Sequence, residues 1–449
     1  MLQRLGSLSY LGAVLILFTL AACDLVAGGE QSGLLTPTAV SPLAETTPDP
    51  ANLDSTIVVS ATVEMPLEQQ APLKIWVPAD PVGLTDEEAD ELVAKLMAFA
   101  NSPAEAETIV QEKALSGPGS ILSYLRTGRG VADAALPDLV ILPADQLETA
   151  VSDGLVYPLE EFLDRDAVLQ QLYPAAAQMA QVEGELVGYP FALTNMTHLA
   201  YDTAAITETL PLDWGALISS TERSLMYPAN SVAAATFTWQ LYQSAGGGLQ
   251  SEPGQSPLLS EPLVAALTQL QAARTTHEFI SVDSLNVSTY EQAWENYRNG
   301  AATIVLTTVE EYWLHRTIEP LPAFQAAAGL EDSLTPLVDG WVIVLTATEL
   351  RRPLAIEFLQ TVVSTQNVAE WSNQQLLLPA DQGALALWAD SSNDVYLAFL
   401  QSLLLEAQPN PLGANATLAA ALQNATFGVL SLSQTPQEAA QQAVDATTP

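Results

Sequence analysis

Two aspartates occupy positions from which a carboxylate can contact a ligand. Asp80 follows the β-rich run at residues 74–77, and Asp145 follows the continuous apolar run at residues 139–142. In open α/β sheets, ligands bind beyond the carboxyl ends of the strands. A carboxylate at such a position accepts hydrogen bonds from hydroxyl or amino groups. Asp145 also has a structural alternative, because it could cap a helix that begins at Gln146.

Residues that would support catalysis or metal binding are few and widely spaced. The chain contains 1 cysteine and 3 histidines, and the histidines, at positions 198, 277 and 315, lack the spacing of metal ligands. There is no Gly-x-Ser-x-Gly elbow. The acidic pairs at 160–161 and 310–311 are more typical of solvated faces or binding carboxylates than of a glycosidase. We therefore expect a protein that is not an enzyme and that needs no metal and no cofactor.

The elements that would position these residues alternate between short strands and amphipathic helices. Such alternation is typical of the α/β class, and the continuous apolar run at 139–142 is typical of a parallel sheet covered on both faces. The pattern predicts strands at 74–77, 107–115 and 139–142, and helices at 85–99 and 121–136. Further helices are predicted at 263–274, 288–298, 353–366, 395–406, 416–425 and 436–445.

The N-terminal region predicts export and anchoring. Residues 11–20 form an apolar segment that is too short to span a bilayer comfortably and that follows Arg4, as in a signal peptide. The ending Leu20-Ala21-Ala22-Cys23 resembles the lipobox of bacterial lipoproteins, which implies that residues 1–22 are removed and that Cys23 is lipidated. The alternative is an ordinary secretory signal that leaves Cys23 as a free thiol. The lipobox places the protein in the cell envelope, lipid-anchored on the extracytoplasmic face of the cell membrane.

The residues after Cys23 predict a flexible tether. Residues 23–72 are rich in Gly, Ser, Thr, Pro and Ala, a composition that cannot bury enough apolar surface to fold. The run at 57–63 could add a strand to the folded body or belong to the tether. After the signal peptide no run of apolar residues is long enough to span a membrane.

The charge of the chain excludes one class of partner. The chain has 52 acidic and 13 basic residues, a formal net charge of −39, and the basic residues form no dense patch. Such a surface repels nucleic acid and anionic lipid head groups. We therefore expect no nucleic-acid partner.

Short motifs occur in a characteristic order from residue 73 to the C-terminus. They are KIWVPAD at 74–80, PDLV at 137–140, GYPF at 188–191, FTW at 237–239, YRNGAAT at 297–303, DGW at 339–341 and TPQEA at 435–439. This order resembles bacterial extracellular solute-binding proteins of family 1, the maltose-binding-like lipoproteins of ABC importers. The resemblance implies a two-lobe periplasmic-binding-protein-like fold with discontinuous lobes and hinge crossovers. It places the first lobe at 73–192 plus 337–388 and the second at 196–335 plus 389–449.

The resemblance also implies a ligand site between the lobes and a set of residues for it. The implied ligand-binding residues are Asp80, Asp145, Thr194, Asn195, Trp239, Glu310, Glu311, Tyr312 and Trp341. Carboxylates would accept hydrogen bonds from sugar hydroxyls, and aromatic rings would cover the CH groups of a sugar face. Leu142 stands where the maltose-binding branch has a stacking aromatic residue, so we expect a small polar solute, a saccharide in general, and not maltodextrin in particular.

The expected partners are a small solute, the subunits of an ABC permease and the membrane that holds the lipid anchor, with the protein itself a monomer. Two alternatives stay open. The carboxylates of Asp80, Asp145, Glu310 and Glu311 could instead pair with a cation such as a polyamine. A ligand-sensing receptor module could also use the same fold.

Overall fold

The computed structural model describes residues 71–81, 86–101, 107–250, 254–276, 278–388 and 394–449. The predicted signal peptide, the lipidation site Cys23, the run at 57–63 and nearly all of the predicted tether lie outside these residues. Within the described part of the chain, every helix is too short or too polar to cross a membrane.

Strands and helices alternate along most of the described chain, as the α/β prediction requires. The strands are β1 (Leu73–Pro78), β2 (Thr108–Lys113), β3 (Leu139–Pro143), β4 (Gln181–Val182), β5 (Glu185–Leu186), β6 (Gly188–Thr194), β7 (Thr197–Asp202), β8 (Leu225–Met226), β9 (Ile304–Thr308), β10 (Pro322–Gln325), β11 (Leu337–Leu345), β12 (Leu378–Pro379) and β13 (Gln408–Pro409). The helices are α1 (Asp86–Ala100), α2 (Ile121–Gly128), α3 (Leu147–Ser152), α4 (Arg165–Gln171), α5 (Pro174–Met179), α6 (Trp214–Ile218), α7 (Val232–Ser244), α8 (Ser260–Thr275), α9 (Tyr290–Arg298), α10 (Val309–His315), α11 (Arg352–Val362), α12 (Thr365–Gln375), α13 (Gln382–Ala386), α14 (Val395–Glu406), α15 (Ala416–Leu430) and α16 (Pro436–Thr447).

The larger sheet has the strand order β12-β6-β11-β3-β1-β2, and β13 pairs with β11 outside this path. β1 runs parallel to β2 and β3, whereas β11 runs antiparallel to β3 and β6. Buried side chains of β1, β3, β6 and β11 pack with α1, α2, α11 and α12 into what we call the larger core. Most side chains of these four strands are apolar and buried because helices cover both faces of the sheet.

The smaller sheet has the strand order β10-β7-β9-β8. β7 is antiparallel to β9 and β10, and β8 is parallel to β9. Leu199 and Leu306 point into a second cluster of buried residues, the smaller core, which α7, α8, α15 and α16 complete. Ala200 and Val305 belong to the larger core, because successive side chains of a strand point to opposite faces.

The chain passes between the two sheets three times. β6 ends at Thr194 in the larger sheet, and β7 begins at Thr197 in the smaller sheet. The second passage lies between β10 and β11. The third lies between Ala407, which packs in the larger core, and Leu412, which packs in the smaller core. The residue ranges given above for the two lobes stay a prediction.

Two of the predicted helices differ from the observed ones. The helix expected at 121–136 ends at Gly128. A Cβ atom at position 128 would lie 2.6 Å from the side chain of Leu136, and Gly130 adopts a left-handed φ of +74°. The helix expected at 353–366 is divided into α11 and α12 by a break at Val363 and Ser364. Residues 130–135 are exposed, and of this segment only Leu136 packs against the larger core, whereas Val368 and Ala369 beyond the second break are buried in it.

Candidate functional site

A groove with a volume of about 600 Å³ lies where β2 and β3 end. Its wall contains hydroxyl, amide and guanidinium groups. The lining residues are Leu115, Ser116, Gly117, Pro118, Ser120, Leu122, Ser123, Arg126, Gln146 and Thr149. The groove therefore occupies the edge of the larger sheet at which α/β proteins bind ligands. We call it the strand-end groove.

Gln146 presents an unsatisfied acceptor at the strand-end groove. It closes the 3₁₀ turn that follows β3, and its side-chain oxygen Oε1 is buried without a hydrogen-bond partner among the described residues. A buried acceptor that finds no donor costs on the order of 1–3 kcal/mol. A ligand hydroxyl in the groove would supply the missing donor. Sequence reasoning placed the neighbouring Asp145 in the site but missed Gln146.

Asp80 lies outside the lining of the groove and bonds to Leu115, which is part of it. It is exposed beyond the end of β1, and its Oδ1 accepts a hydrogen bond of 2.7 Å from the backbone N–H of Leu115. This bond holds the segment between β2 and α2 that lines the groove. On the other wall, Arg126 pairs with Asp153. The predicted ligand carboxylate of Asp80 is thus also a structural group.

Asn195 lies in the first passage between the sheets and links two acidic side chains. Its Nδ2 donates to Asp339 Oδ2 at 2.8 Å, and its backbone N–H donates to Glu310 Oε1 at 3.2 Å. Its φ of 62° is left-handed, a conformation that asparagine tolerates better than most residues. Thr194, its predicted neighbour in the site, is buried at the end of β6. The structure thus brings Asn195 and Glu310 together, and their roles in ligand binding stay a prediction.

Asp339 is an acidic side chain within an otherwise apolar strand, and the sequence-derived site omits it. Burial raises its pKa, although hydrogen bonds from Asn195 and Asn410 oppose this shift. Burial also raises the pKa of Asp145 to about 6, and repulsion from Asp339 adds to the effect. The Asp145 side chain is partly exposed. Its Oδ2 packs so closely on Gly413 that a Cβ atom at position 413 would be only 2.5 Å away. Asp145, Asn195, Glu310, Asp339 and Asn410 form what we call the crossing cluster.

The crossing cluster contains three acidic side chains, those of Asp145, Glu310 and Asp339. Burial is the main cause of the raised pKa of Glu310, and Lys95 of α1 opposes the shift. Among the residues that the structure describes, no three His, Cys, Asp or Glu side chains are arranged to hold a metal ion. The cluster therefore presents hydrogen-bonding carboxyl and amide groups.

Glu311 and Tyr312 turn away from the crossing cluster. Burial, together with repulsion from Glu291 and Glu88, raises the pKa of Glu311 to about 7. Its Oε1 lies 2.8 Å from Nε2 of His315, one helical turn later. The ring of Tyr312 is buried, and its hydroxyl donates to the carbonyl oxygen of Pro322 at 2.9 Å.

The structure does not gather the three predicted aromatic side chains around a ligand. Tyr312 packs against Tyr396, with 4.5 Å between ring centroids. Trp341 is 6% exposed and lies in β11 between Pro143 and Ala192. Trp239 is 2% exposed and packs in the smaller core against Tyr242. Little ring surface is left for stacking, so the ligand roles of these three residues stay predictions that the burial does not support.

His198 joins the smaller sheet to α14. It is fully buried, its Nδ1 lies 3.0 Å from the carbonyl oxygen of Leu199, and its Nε2 lies 2.8 Å from the hydroxyl of Tyr396. A carbonyl oxygen only accepts, so Nδ1 carries the proton, and Nε2 of the neutral ring accepts from Tyr396. Burial lowers the pKa of His198 to about 4.

This histidine predicts a loss of stability in acid. The pKa of His198 is about 4 in the folded protein, whereas the ordinary value is 6.5. The stability that the buried neutral ring contributes is therefore complete above pH 6.5 and falls as the pH drops toward 4. Relative to a His198→Phe variant, the wild-type protein should lose about 2–3 kcal/mol of unfolding free energy between pH 7.5 and 4.5. Urea unfolding at both pH values measures this change. His315→Phe is the control, because His315 is partly exposed and its replacement should change the pH dependence of stability less. If the wild-type protein and His198→Phe differ in unfolding free energy by the same amount at both pH values, the assignment is wrong.

Known proteins resemble the chain in sequence pattern and in fold. Residues 128–397 match the family model described as bacterial extracellular solute-binding protein. The maltose-bound MalE3 of T. maritima is 16% identical, with a TM-score of 0.62 and with 83% of this chain and 98% of that chain covered. The GacH receptor of Streptomyces glaucescens, solved unliganded and with acarbose, is 15% identical, with a TM-score of 0.62 and coverages of 84% and 97%.

A third similar structure is an ABC transporter solute-binding protein from Thermotoga lettingae, bound with α-D-tagatose. It is 15% identical, with a TM-score of 0.62 and with 84% of this chain and 98% of that chain covered. No curated protein matches the chain in sequence. At these identities the likeness establishes the fold, and it confirms the expected two-lobe periplasmic-binding-protein-like architecture.

Proposed function

The chain belongs to the family of bacterial extracellular solute-binding proteins, and from this premise we propose that it captures a saccharide and delivers it to an ABC permease. The observation that carries the proposal is the buried Oε1 of Gln146, which has no partner among the described residues and borders the strand-end groove. The fold and the family are those of binding proteins, so the site is interpreted as a binding site.

The chemistry of the groove suits a sugar. Each sugar hydroxyl both donates and accepts, and the wall offers the hydroxyls of Ser116, Ser123 and Thr149 together with the amide of Gln146. Asp145 directly precedes Gln146 in the sequence, and we propose that its carboxylate contacts a ligand at the border of the groove. The volume of about 600 Å³ lies within the range of small-molecule sites, roughly 300–1,000 Å³. The similar structures were solved with maltose, acarbose and tagatose bound, which supports the saccharide class.

A polyamine is the competing ligand class. Carboxylates attract it, but the lining of the strand-end groove contains the guanidinium of Arg126 and no carboxylate. A lining of this kind favours an uncharged ligand over a cation.

Anchoring and assembly complete the proposal. We infer removal of residues 1–22, lipidation of Cys23, a tether at 23–72 and a monomeric body that meets the permease at the outer face of the cell membrane. Support comes from the apolar segment at 11–20, the Leu-Ala-Ala-Cys ending and the tether composition. A sensor module would use the same capture step, and binding of the loaded protein to a permease would separate the two roles.

A ligand screen tests the proposal. We expect mono-, di- or oligosaccharides to raise the melting temperature of the purified protein, because a ligand at 100 times its dissociation constant adds about 2.7 kcal/mol to stability. Differential scanning fluorimetry against sugars, spermidine and amino acids measures the shift, and isothermal titration calorimetry confirms the hit. A shift with spermidine and with none of the sugars would overturn the proposal.

A further inference from the structure

The three passages of the chain between the sheets meet at a single carboxylate. Asn195 of the first passage donates from Nδ2 to Asp339 Oδ2 at 2.8 Å. Asp339 itself lies two residues after the start of β11, into which the second passage leads. Asn410 of the third passage donates its side-chain amide to Asp339, and its backbone N–H donates to Val338 at 2.9 Å. Asp339 therefore lies where the second passage ends and is bonded to the first and third passages.

We propose that Asp339 is the positioning residue that sets the angle between the two lobes and thereby the affinity of the ligand site. Bending between lobes occurs where few strands connect them, at residues that absorb changes in backbone angles. Asn195, with its left-handed φ of 62°, is such a residue. A carboxylate that holds it and Asn410 at once restricts the rotation of both passages.

Asp339 is also connected to the groove through Asp145. Repulsion from Asp339 contributes to the raised pKa of Asp145, and Gln146 directly follows Asp145 in the sequence. The other titratable groups that face this pair are Tyr290 of α9, whose pKa is raised by burial and by Asp339, and Glu310, on which Lys95 acts. A change at Asp339 therefore reaches the border of the groove through the ionisation of Asp145.

The first test measures the lobe angle without a ligand. In a Cys23→Ser background, spin labels at the exposed positions Gln360→Cys on α11 and Thr268→Cys on α8 report the distance between the lobes. We expect Asp339→Asn and Asn410→Ala to broaden or shift this distance distribution. Asp332→Ala is the matched control, because Asp332 is an exposed aspartate of the same second passage that bonds its neighbour Ser333.

The second test measures ligand affinity against pH, and it rests on the proposed function. Asp339→Asn should raise the dissociation constant for the identified sugar about tenfold, the cost of losing a hydrogen bond to a charged group. Because Asp145 binds best as a carboxylate, affinity should fall in the wild-type protein as the pH drops through about 6. In Asp339→Asn this midpoint should move down, though not to the ordinary value of 3.8, because burial still acts on Asp145.

The outcomes separate the positioning role from the proposed function. An unchanged distance distribution in Asp339→Asn, equal to that of Asp332→Ala, would overturn the positioning role even if a sugar binds. An altered distribution without binding of any sugar would support the positioning role and refute the saccharide. Reduced affinity with an unchanged distance and an unchanged pH midpoint would assign Asp339 a direct ligand contact and overturn the inference. Circular dichroism of Asp339→Asn, a nearly isosteric variant, verifies folding.

Discussion

Replacing Asp138 with alanine is expected to lower the free energy of unfolding by about 3–5 kcal/mol, because it removes the carboxylate that bonds two nitrogens of a largely buried guanidinium. Asp138 is 3% exposed, and its two carboxylate oxygens accept from Nε and Nη2 of Arg351 at 2.7 and 2.8 Å. The backbone N–H of Lys74 also donates to Oδ2 at 2.9 Å. One carboxylate thus joins the start of β1, the start of β3 and the residue that precedes α11.

Urea unfolding followed by circular dichroism measures the Asp138 effect. Asp166→Ala is the matched control, since Asp166 pairs with Arg165 on the surface and such pairs contribute about 0–1 kcal/mol. Asp138→Asn keeps the shape and one acceptor, so its loss should fall between the two. A loss below about 1 kcal/mol in Asp138→Ala would show that the buried pair does not stabilise the larger sheet.

Replacing Asp145 with alanine is expected to weaken sugar binding about 10- to 100-fold, the equivalent of a charged hydrogen bond worth about 1.5–3 kcal/mol. Gln146→Ala should weaken binding about 2- to 10-fold, because a neutral hydrogen bond contributes less. Both residues follow β3 at the carboxyl edge of the larger sheet, and neither is needed for a strand or for the larger core. The variants should therefore fold with little change in melting temperature.

Isothermal titration calorimetry at pH 7.5 measures these affinities with the sugar found in the screen. Glu148→Ala is the control, because Glu148 is an exposed acidic residue in the first turn of the adjacent α3. Its dissociation constant should equal that of the wild-type protein. If Asp145→Ala and Gln146→Ala both bind like this control, the ligand does not occupy the strand-end groove.

Local patterns predicted the elements that build the larger sheet. The apolar runs that became β1 and β3 and the helical periodicity of α1 are short-range features, and burial on both faces of the sheet leaves a continuous apolar signature. The rule that ligands bind beyond strand ends placed Asp80 and Asp145 at the edge of the larger sheet where the strand-end groove lies. Helix ends were less predictable, because the apolar spacing at 121–136 and 353–366 does not show where the backbone hydrogen bonds of one helix stop.

Aromatic residues show where sequence reasoning stops. Tyr312, Trp341 and Trp239 carry the ring chemistry that sugar binding uses, yet each ring is at least 94% buried within a core or a sheet. A large apolar side chain is stabilised equally by a ligand or by neighbouring side chains. The residue type therefore cannot distinguish a ligand contact from a packing contact. Which of the two surrounds the ring depends on how the helices and strands pack.

Asp339 and Gln146 show the opposite case, in which a site residue has little signal in the sequence. Asp339 interrupts an apolar strand, which is a hint, but its partner Asn195 lies 144 positions away in the sequence, and only folding brings the two side chains together. Composition, strand patterns and the order of motifs established the class, the family resemblance and the groove edge. The meeting of three distant passages at one carboxylate arose from the tertiary fold, because hydrogen bonds between remote residues depend on how two sheets pack and not on any local spacing.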